Sequence, residues 1–230
     1  LKSFQNPYTG IRSNNENELN NLIKKNKFLF VKFKNYNDLN KKMVQELVKK
    51  KIIAILRNNM EFGSRALGNT SIICDPRLSN AKKILNSKIK LREKFRPFAP
   101  AILDKSVSKW FEGHIKSPYM SFVLKFRKNK KKLVPAVCHY DETGRIQTVS
   151  KNQNPFFYDL IRVFEKKTKI PILLNTSFNE NEPIVESQKR AIETFKRTSI
   201  DFLNIDKYLI FKNGIVPSVQ IKMLLRLLKN

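Results

Sequence analysis

The stretch EFGSRALGNTSIICDPR, residues 61–77, follows an apolar run, IIAIL at 52–56, and holds two of the six glycines in the 230-residue chain. Glycine permits positive φ angles and lets a ligand approach the backbone closely. Arg65 stands between Gly63 and Gly68, and its planar guanidinium suits a phosphate or a carboxylate. The stretch therefore indicates a ligand-binding loop at the end of a strand, as in open α/β sheets. A surface turn with a solvated arginine is the alternative interpretation.

Strand and helix patterns alternate on both sides of this loop. The aromatic and apolar run FLFVKF at 28–33 is typical of a strand, as is IIAIL. Residues 37–50 between them have apolar side chains at helical spacing, and Asn37 or Asp38 could cap that helix. Further strands are predicted at 71–74, 120–126, 145–149, 170–174 and 202–211 (one or two strands), and further helices at 14–25, 79–90, 104–111, 154–164 and 187–195. This order predicts an α/β (mixed α+β) fold, a twisted mixed sheet with flanking helices.

A single domain is expected over residues 15–214, because 230 residues with 41% hydrophobic side chains can form a substantial core. Residues 1–14 contain Asn-Pro and Thr-Gly turn signals and are predicted to be a linker segment. Residues 215–230 have a basic amphipathic pattern and are predicted to form a helix. That helix would dock on this domain or on a missing neighbour, and a membrane surface is the less favoured alternative.

The formal net charge of +27, with a pI of about 10.2, favours polyanionic ligands such as nucleic acid, anionic lipid or phosphorylated small molecules. Lysines recur throughout the chain rather than along one stripe, which argues against a dedicated nucleic-acid site. No apolar run approaches the length of a transmembrane helix, and no membrane partner is expected. Cys74 and Cys138 stand far apart without a partner motif and, with no signal-peptide pattern, indicate a cytoplasmic location.

Residues 88–103, KIKLREKFRPFAPAIL, place four cations at alternate positions. In an extended conformation this spacing puts all four side chains on one face, and Pro97 and Pro100 exclude a continuing helix. The segment therefore predicts a cradle for a polyphosphate, with a basic edge strand as the alternative. The four cations are Lys90, Arg92, Lys94 and Arg96.

A third stretch, HYDETGRIQTV at 139–149, combines a turn signal with a strand pattern. A Thr-Gly turn at 143–144 is predicted to deliver Arg145 to a strand, with Gln147 on the same face. His139 has no partner motif and is interpreted as structural rather than as an acid or base.

A fourth stretch, NTSFNENEP at 175–183, directly follows the strand predicted at 170–174. Its small polar side chains and backbone N–H groups can bind a phosphate or a planar amide through hydrogen bonds. A turn rich in Asn and Ser is the alternative interpretation.

Together the four stretches resemble the C-terminal part of a carbamoyltransferase family that includes the nodulation-factor, cephem and tobramycin O-carbamoyltransferases. The resembling blocks are MEFGSRALGNTSIICDPR, IKLREKFRPFAPAIL, HYDETGRIQTV and LLNTSFNENEPIV, which occur in the family's order. The resemblance implies a YrdC-like fold that makes carbamoyl-adenylate from ATP and carbamoyl phosphate. It also implies an N-terminal part with an actin-like fold, in cis or in trans, which holds a His-ligated iron and transfers the carbamoyl group to a hydroxyl acceptor.

The resemblance also implies roles for residues at the matching positions. Catalytic roles are implied for Lys90, Arg145 and Ser177. Binding of ATP and the second substrate is implied for Arg65, Arg92, Arg96, Asn175, Thr176 and Asn179. Magnesium is expected to arrive with ATP, iron only in the N-terminal part, and no metal site in this chain, where Glu61 and Asp75 are weak candidates.

The chain departs from the family pattern near the glycine loop. Asn58 and Asn59 stand where the family usually has Gly-Arg, Ser64 where it often has Pro, and Thr70 where it often has Arg. These departures predict weaker phosphate binding by this loop, low activity or a different acceptor pathway. The charge and the fold leave two further hypotheses, a non-catalytic domain that binds double-stranded RNA and a degenerate fragment that folds but binds nothing.

Overall fold

The computed structural model of the protein describes residues 6–10, 15–57 and 59–213. Within these residues, nine strands form one sheet in the order β1-β9-β8-β2-β3-β7-β4-β6-β5. The strands are β1 (Leu29–Lys32), β2 (Ile53–Leu56), β3 (Thr70–Cys74), β4 (Ala99–Leu103), β5 (Phe122–Lys125), β6 (Thr143–Val149), β7 (Ile172–Ser177), β8 (Phe202–Ile205) and β9 (Tyr208–Phe211). The helices are α1 (Glu16–Lys25), α2 (Tyr36–Val48), α3 (Ala81–Lys88), α4 (Val107–Trp110), α5 (Pro155–Thr168) and α6 (Gln188–Arg197).

The sheet is mixed, which confirms the predicted fold class. β2 runs parallel to β8 and β4 runs parallel to β6, whereas the other neighbouring strands pair antiparallel. The apolar run predicted to hold one or two strands at 202–211 forms two, β8 and β9, joined by a turn in which Asp206 has φ +47°. The helix predicted at 215–230 lies outside the described residues.

Side-chain caps fix the starts of four helices, because each cap oxygen accepts an otherwise unpaired backbone N–H of the first turn. Asn15, Asn154 and Ser187 cap α1, α5 and α6. The prediction that Asn37 or Asp38 caps α2 was wrong. Asn35 is the cap, since its side chain accepts from the Asp38 N–H and its own backbone is extended.

The core lies on both faces of the central strands. Every residue of β2, β3, β4, β8 and β9 is buried, which explains why these strands are mainly apolar and do not alternate between apolar and polar residues. β4 lies between β7 and β6, so the alternative of a basic edge strand is wrong for the residues that follow Phe98. Among the described residues, no helix is long and apolar enough to cross a lipid bilayer.

Candidate anion-binding site

The loop at 61–70, which we call the glycine loop, is organised by one buried carboxylate. Oε1 of Glu61 accepts hydrogen bonds from the backbone N–H groups of Leu67 at 2.6 Å, Asn69 at 2.8 Å and Thr70 at 3.2 Å. Oε2 accepts from the Thr70 hydroxyl. Glu61 is 6% exposed, so its charge is satisfied inside the loop and is not presented to solvent. Arg65 is left on the exposed outer part of the loop.

Gly68 is required by a close approach as well as by its backbone angle. Its φ is +117°, and a Cβ atom built there would lie 2.6 Å from Cδ1 of Phe157, inside the core. A side chain could not fit without moving α5. Gly63, with φ +116°, has open space around it and needs glycine for its backbone angle alone.

The basic segment at 89–98, which we call the lysine loop, is not extended, so the prediction that its four cations share one face was wrong. Leu91 adopts φ +45°, which reverses the chain between Lys90 and Arg92. Lys90 is 2% exposed and points inward, whereas Lys94 is exposed. The amide of Asn86, on α3, donates to the carbonyl oxygens of residues 94 and 96 and accepts from Nε of Arg92 at 2.8 Å.

Lys90 joins the lysine loop to the end of β7. Its Nζ donates to the carbonyl oxygens of Ser177 and Asn179 at 2.5 and 2.9 Å, and to Oγ of Ser177 and Oδ1 of Asn179 at 3.1 and 2.5 Å. Three predicted residues from two different stretches, Lys90, Ser177 and Asn179, therefore meet at one ammonium group. Burial, with the positive charge of Arg92, lowers the pKa of Lys90 to about 7, and the negative charge of Glu182 opposes that shift.

The polar residues at 175–177 belong to β7 itself, so their prediction as a loop after the strand was wrong. Thr176 pairs with Ile72 in β3, and Asn175 pairs with Ala99 in β4. The side chain of Asn175 reaches the glycine loop, since its Nδ2 donates to the carbonyl oxygen of Ala66 at 3.0 Å. Its Oδ1 is buried and has no hydrogen-bond partner among the described residues.

Arg145 lies in β6, but the turn before it is not at 143–144 as predicted. Thr143 and Gly144 are already in the strand, and the chain reverses at Glu142, where φ is +66°. Gln147, on the same face as Arg145, is buried and donates from Nε2 to the carbonyl oxygen of Leu67 at 2.8 Å. Its Oε1 accepts from Nδ2 of Asn175 at 2.7 Å, so Gln147 is a support of the glycine loop that the sequence prediction did not assign.

Four arginines from three separate stretches converge on one pocket of about 370 Å³, which we call the arginine pocket. No carboxylate lines it among the described residues. Burial and the charge of Arg65 lower the pKa of Arg145, and burial, Arg96 and Arg145 lower the pKa of Arg92. Guanidinium groups keep their charge despite such shifts, so the pocket concentrates positive charge and fits an anion. The four arginines are Arg65, Arg92, Arg96 and Arg145.

His139 also lines the arginine pocket, although its sequence context gave no sign of a partner. Nδ1 of His139 lies 3.2 Å from Oγ1 of Thr143, whose hydroxyl donates to Asp141 at 2.7 Å. Burial lowers the pKa of His139, with Asp141 opposing, and the imidazole is therefore mainly neutral at pH 7. A neutral imidazole can donate or accept one hydrogen bond in the pocket without adding charge.

Neither weak candidate for a magnesium ligand is free to coordinate a cation. The carboxylate of Glu61 is saturated by the glycine loop, and that of Asp75 is 2% exposed and forms a two-oxygen ion pair with Arg77 at 2.5 to 3.0 Å. In the part of the chain that the structure describes, no group of three or more His, Cys, Asp or Glu side chains could hold a metal ion.

The fold is that of a mixed α/β domain, and it carries a pocket lined by four arginines. The sequence profile described as "Carbamoyltransferase C-terminus" matches residues 44–212, and the chain belongs to that family. Nodulation protein NolO of Bradyrhizobium diazoefficiens is 46% identical over 165 residues, which cover 70% of this chain and 30% of NolO. Nodulation protein NolNO of Sinorhizobium fredii is 45% identical over 170 residues, which cover 72% of this chain and 25% of NolNO. The chain thus corresponds to less than a third of either relative.

The solved structure of full-length HypF in the phosphate- and nucleotide-bound form is similar in fold. The TM-score is 0.51 at 20% sequence identity, and the match covers 83% of this chain and 23% of HypF. At this sequence identity the likeness establishes a shared fold alone.

Proposed function

We propose that this chain is the adenylating half of an O-carbamoyltransferase. It binds ATP and carbamoyl phosphate and forms carbamoyl-adenylate, which a partner domain with an actin-like fold transfers to a hydroxyl acceptor. Family membership supports a role in carbamoyl transfer, and the arginine pocket supports the binding of phosphate groups. The observation that carries the proposal is the convergence of four arginines on a pocket with no carboxylate among its described lining residues. Glu93, which does not line the pocket, pairs with Arg96 at 3.2 Å, and the other three arginines form no ion pair among the described residues.

The chemistry explains why so many cations are needed. Water hydrolyses carbamoyl phosphate to carbamate and phosphate, and a carbamate oxygen then attacks the α-phosphorus of ATP. One P–O bond forms, the bond to the β-phosphate oxygen breaks, and pyrophosphate leaves. Both reactants are anions that repel one another, so fixed guanidinium groups lower the barrier by neutralising charge and by holding the reactants close together.

The hydrogen-bonded group of Lys90, Ser177 and Asn179 offers hydroxyl and amide groups in addition to charge. Ser177 Oγ donates to Oδ1 of Asn179 at 2.7 Å, and Lys90 donates to both oxygens. The remaining lone pairs and amide N–H of the two side chains can pair with the planar carbamoyl group. Magnesium enters as part of the ATP substrate, because Glu61 and Asp75 are committed to internal contacts. Iron belongs to the partner domain in this proposal, and the reaction takes place in the cytoplasm.

Calorimetric titration with α,β-methylene ATP, with and without carbamoyl phosphate, tests the proposal. We expect micromolar binding, and Arg145→Ala should weaken it by about 10- to 100-fold, because charge-assisted hydrogen bonds contribute about 1.5–3 kcal/mol each. Arg190→Ala is the matched control, since Arg190 is exposed on α6 and paired with Glu193. Its affinity should stay within about twofold of the parent protein.

Two results would contradict the proposal. One is the absence of nucleotide binding by protein that unfolds cooperatively in urea and is therefore folded. The other is an equal loss of affinity in Arg145→Ala and Arg190→Ala, which would mean that the nucleotide responds to net charge rather than to the arginine pocket.

A further inference from the structure

A second and larger pocket, of about 870 Å³, lies between the first turns of α2 and α5. Six of its described lining residues are asparagines, although asparagine makes up about a tenth of the chain. We call it the amide cleft. Its volume is within the range of about 300–1,000 Å³ that is typical of small-molecule sites. Asn69 of the glycine loop lines this cleft, whereas Arg65 of the same loop lines the arginine pocket.

A buried arginine forms one wall of the amide cleft. Arg57 is 3% exposed, and its guanidinium carbon lies 3.7 Å from the ring centre of Phe156 and 4.4 Å from that of Tyr36. Nη1 donates to the carbonyl oxygen of Asp206 at 3.2 Å, but Arg57 forms no ion pair with any carboxylate of the described residues. The Asp206 carboxylate instead accepts from the Tyr36 hydroxyl at 2.5 Å. A buried guanidinium in this position favours an anion on its open side.

A buried amide beside Arg57 has an unused acceptor. Asn40 is 1% exposed and lines the cleft one helical turn after Tyr36, so the two side chains share a face of α2. Its Nδ2 is 3.5 Å from the carbonyl oxygen of Phe156, a weak contact at most. Its Oδ1 has no hydrogen-bond partner in the described part of the chain. Because that oxygen is buried, a ligand O–H or N–H group would satisfy it once the Asn40 side chain turns toward the cleft.

The electrostatics of the cleft also favour an anion. The N-termini of α2 and α5, helices of 13 and 14 residues, both lie at its edge and carry partial positive charge. Among the charged lining residues, Asp159 is paired with Arg162 at 3.2 Å, whereas Arg57 has no ion pair among the described residues, and burial lowers its pKa despite the opposing charge of Asp206. One anionic group on a ligand would therefore balance the positive charge of Arg57 and of the two helix N-termini.

We propose that the amide cleft binds a small polyhydroxylated molecule with one anionic group, such as a sugar acid or a sugar phosphate. Arg57 and the first turns of α2 and α5 receive the carboxylate or phosphate. Asn40 accepts a hydrogen bond from a hydroxyl, and the neighbouring amides match the other hydroxyls, because each amide and each hydroxyl is both donor and acceptor. This site is separate from the arginine pocket, so it stands or falls independently of nucleotide binding.

Calorimetric titration of the chain with glucuronate, glucose 6-phosphate and glucose tests this assignment. We expect one or both anionic sugars to bind with a dissociation constant of about 1 mM or tighter, and glucose to bind about tenfold more weakly. The two anions distinguish a carboxylate ligand from a phosphate ligand. Asn40→Leu should weaken anion binding by about tenfold, because it removes the acceptor. Arg145→Ala should leave it within about twofold, because Arg145 lies in the other pocket.

A second variant, Asn37→Asp, still tests binding at the cleft if Asn40→Leu or changes at Arg57 impair folding. Asn37 is exposed, lines the cleft and lies in the first turn of α2, where an acidic residue favours the helix. Asn37→Asp should therefore fold and repel the anion, with a loss of about threefold or more. The proposal is overturned by no binding of either anion up to about 20 mM. It is also overturned by unchanged binding in Asn37→Asp and Asn40→Leu, or by loss of binding in Arg145→Ala alone.

Discussion

The glycine loop and the lysine loop bring arginines to the same pocket, and each is organised by a buried charge of opposite sign. In the glycine loop, the Glu61 carboxylate collects backbone N–H donors and a hydroxyl. In the lysine loop, the Lys90 ammonium collects four oxygen acceptors. The Glu61 carboxylate is satisfied within its loop and pairs with none of the four arginines among the described residues, whereas Lys90 is itself a cation and adds to their positive charge. Buried charges of this kind can therefore shape an anion site without occupying it.

The two loops differ in what their buried charges connect. Among the described residues, the Glu61 carboxylate accepts hydrogen bonds from its own loop alone, so its contribution is to local stability. Lys90 contacts a separate segment, the end of β7, and its pKa is lowered to about 7 by burial. Glu61 should therefore matter most for folding, whereas Lys90 should make ligand binding sensitive to pH.

Removal of the Glu61 carboxylate should have the largest effect on stability. Glu61→Ala leaves three backbone N–H groups and the Thr70 hydroxyl without their acceptor, and we expect the free energy of unfolding to fall by about 3–4 kcal/mol. Urea denaturation measures this loss. Glu61→Gln keeps one acceptor oxygen and should lose only about 1–2 kcal/mol. Equal losses in the two variants would show that the loop does not depend on this acceptor.

Sulfate binding should depend on pH through Lys90. Sulfate keeps the same charge over the range, whereas the protonated fraction of a group with a pKa of about 7 falls from about 0.9 at pH 6 to about 0.1 at pH 8. Because the protonated form of Lys90 attracts the anion, the affinity for sulfate should fall by about tenfold over that range. Isothermal titration at several pH values measures it.

Lys90→Met is the control for this pH dependence. It cannot titrate, so its affinity for sulfate should be low and nearly constant between about pH 6 and pH 8. The variant also separates Lys90 from His139, which lines the arginine pocket and whose pKa is lowered by burial. An unchanged pH profile in Lys90→Met would mean that another group titrates.

Loss of a support of the glycine loop should have the smallest effect. Gln147→Ala removes contacts to Leu67 and Asn175, so Arg65 is held less firmly, and affinity for α,β-methylene ATP should fall by about threefold. Gln153→Ala is the control, since Gln153 lines the amide cleft and its Oε1 accepts a hydrogen bond from the Ser150 hydroxyl at 3.2 Å. A similar loss of affinity for α,β-methylene ATP in both variants would show that Gln147 does not act through the arginine pocket.

The sequence predicted the elements well where local chemistry decides them. Buried strands read as apolar runs, and Asn154 before Pro155 marked the start of α5 because a cap and a first-turn proline have fixed roles. The prediction at α2 missed its true cap, Asn35, by two positions, since three neighbouring side chains there could all accept a first-turn N–H.

Long-range contacts were beyond the reach of sequence patterns. The alternating cations of the lysine loop suggested an extended chain, but the pairing of Lys90 with β7 and the positive φ of Leu91 reverse it. Asn175 belongs to β7 rather than to a loop because β3 and β4 flank it on both sides. The amide cleft gave no signal, since Asn40 resembles any polar residue of a helix until α5 packs beside it.

Exchange of labelled pyrophosphate into ATP tests most directly whether this chain forms carbamoyl-adenylate. Reversible formation of carbamoyl-adenylate requires exchange that depends on carbamoyl phosphate and is carried by this chain alone. The account predicts such exchange in the parent protein, its loss by about 100-fold in Arg145→Ala, and normal exchange in Arg190→Ala. Folded protein that binds ATP but exchanges no pyrophosphate with carbamoyl phosphate present would contradict it.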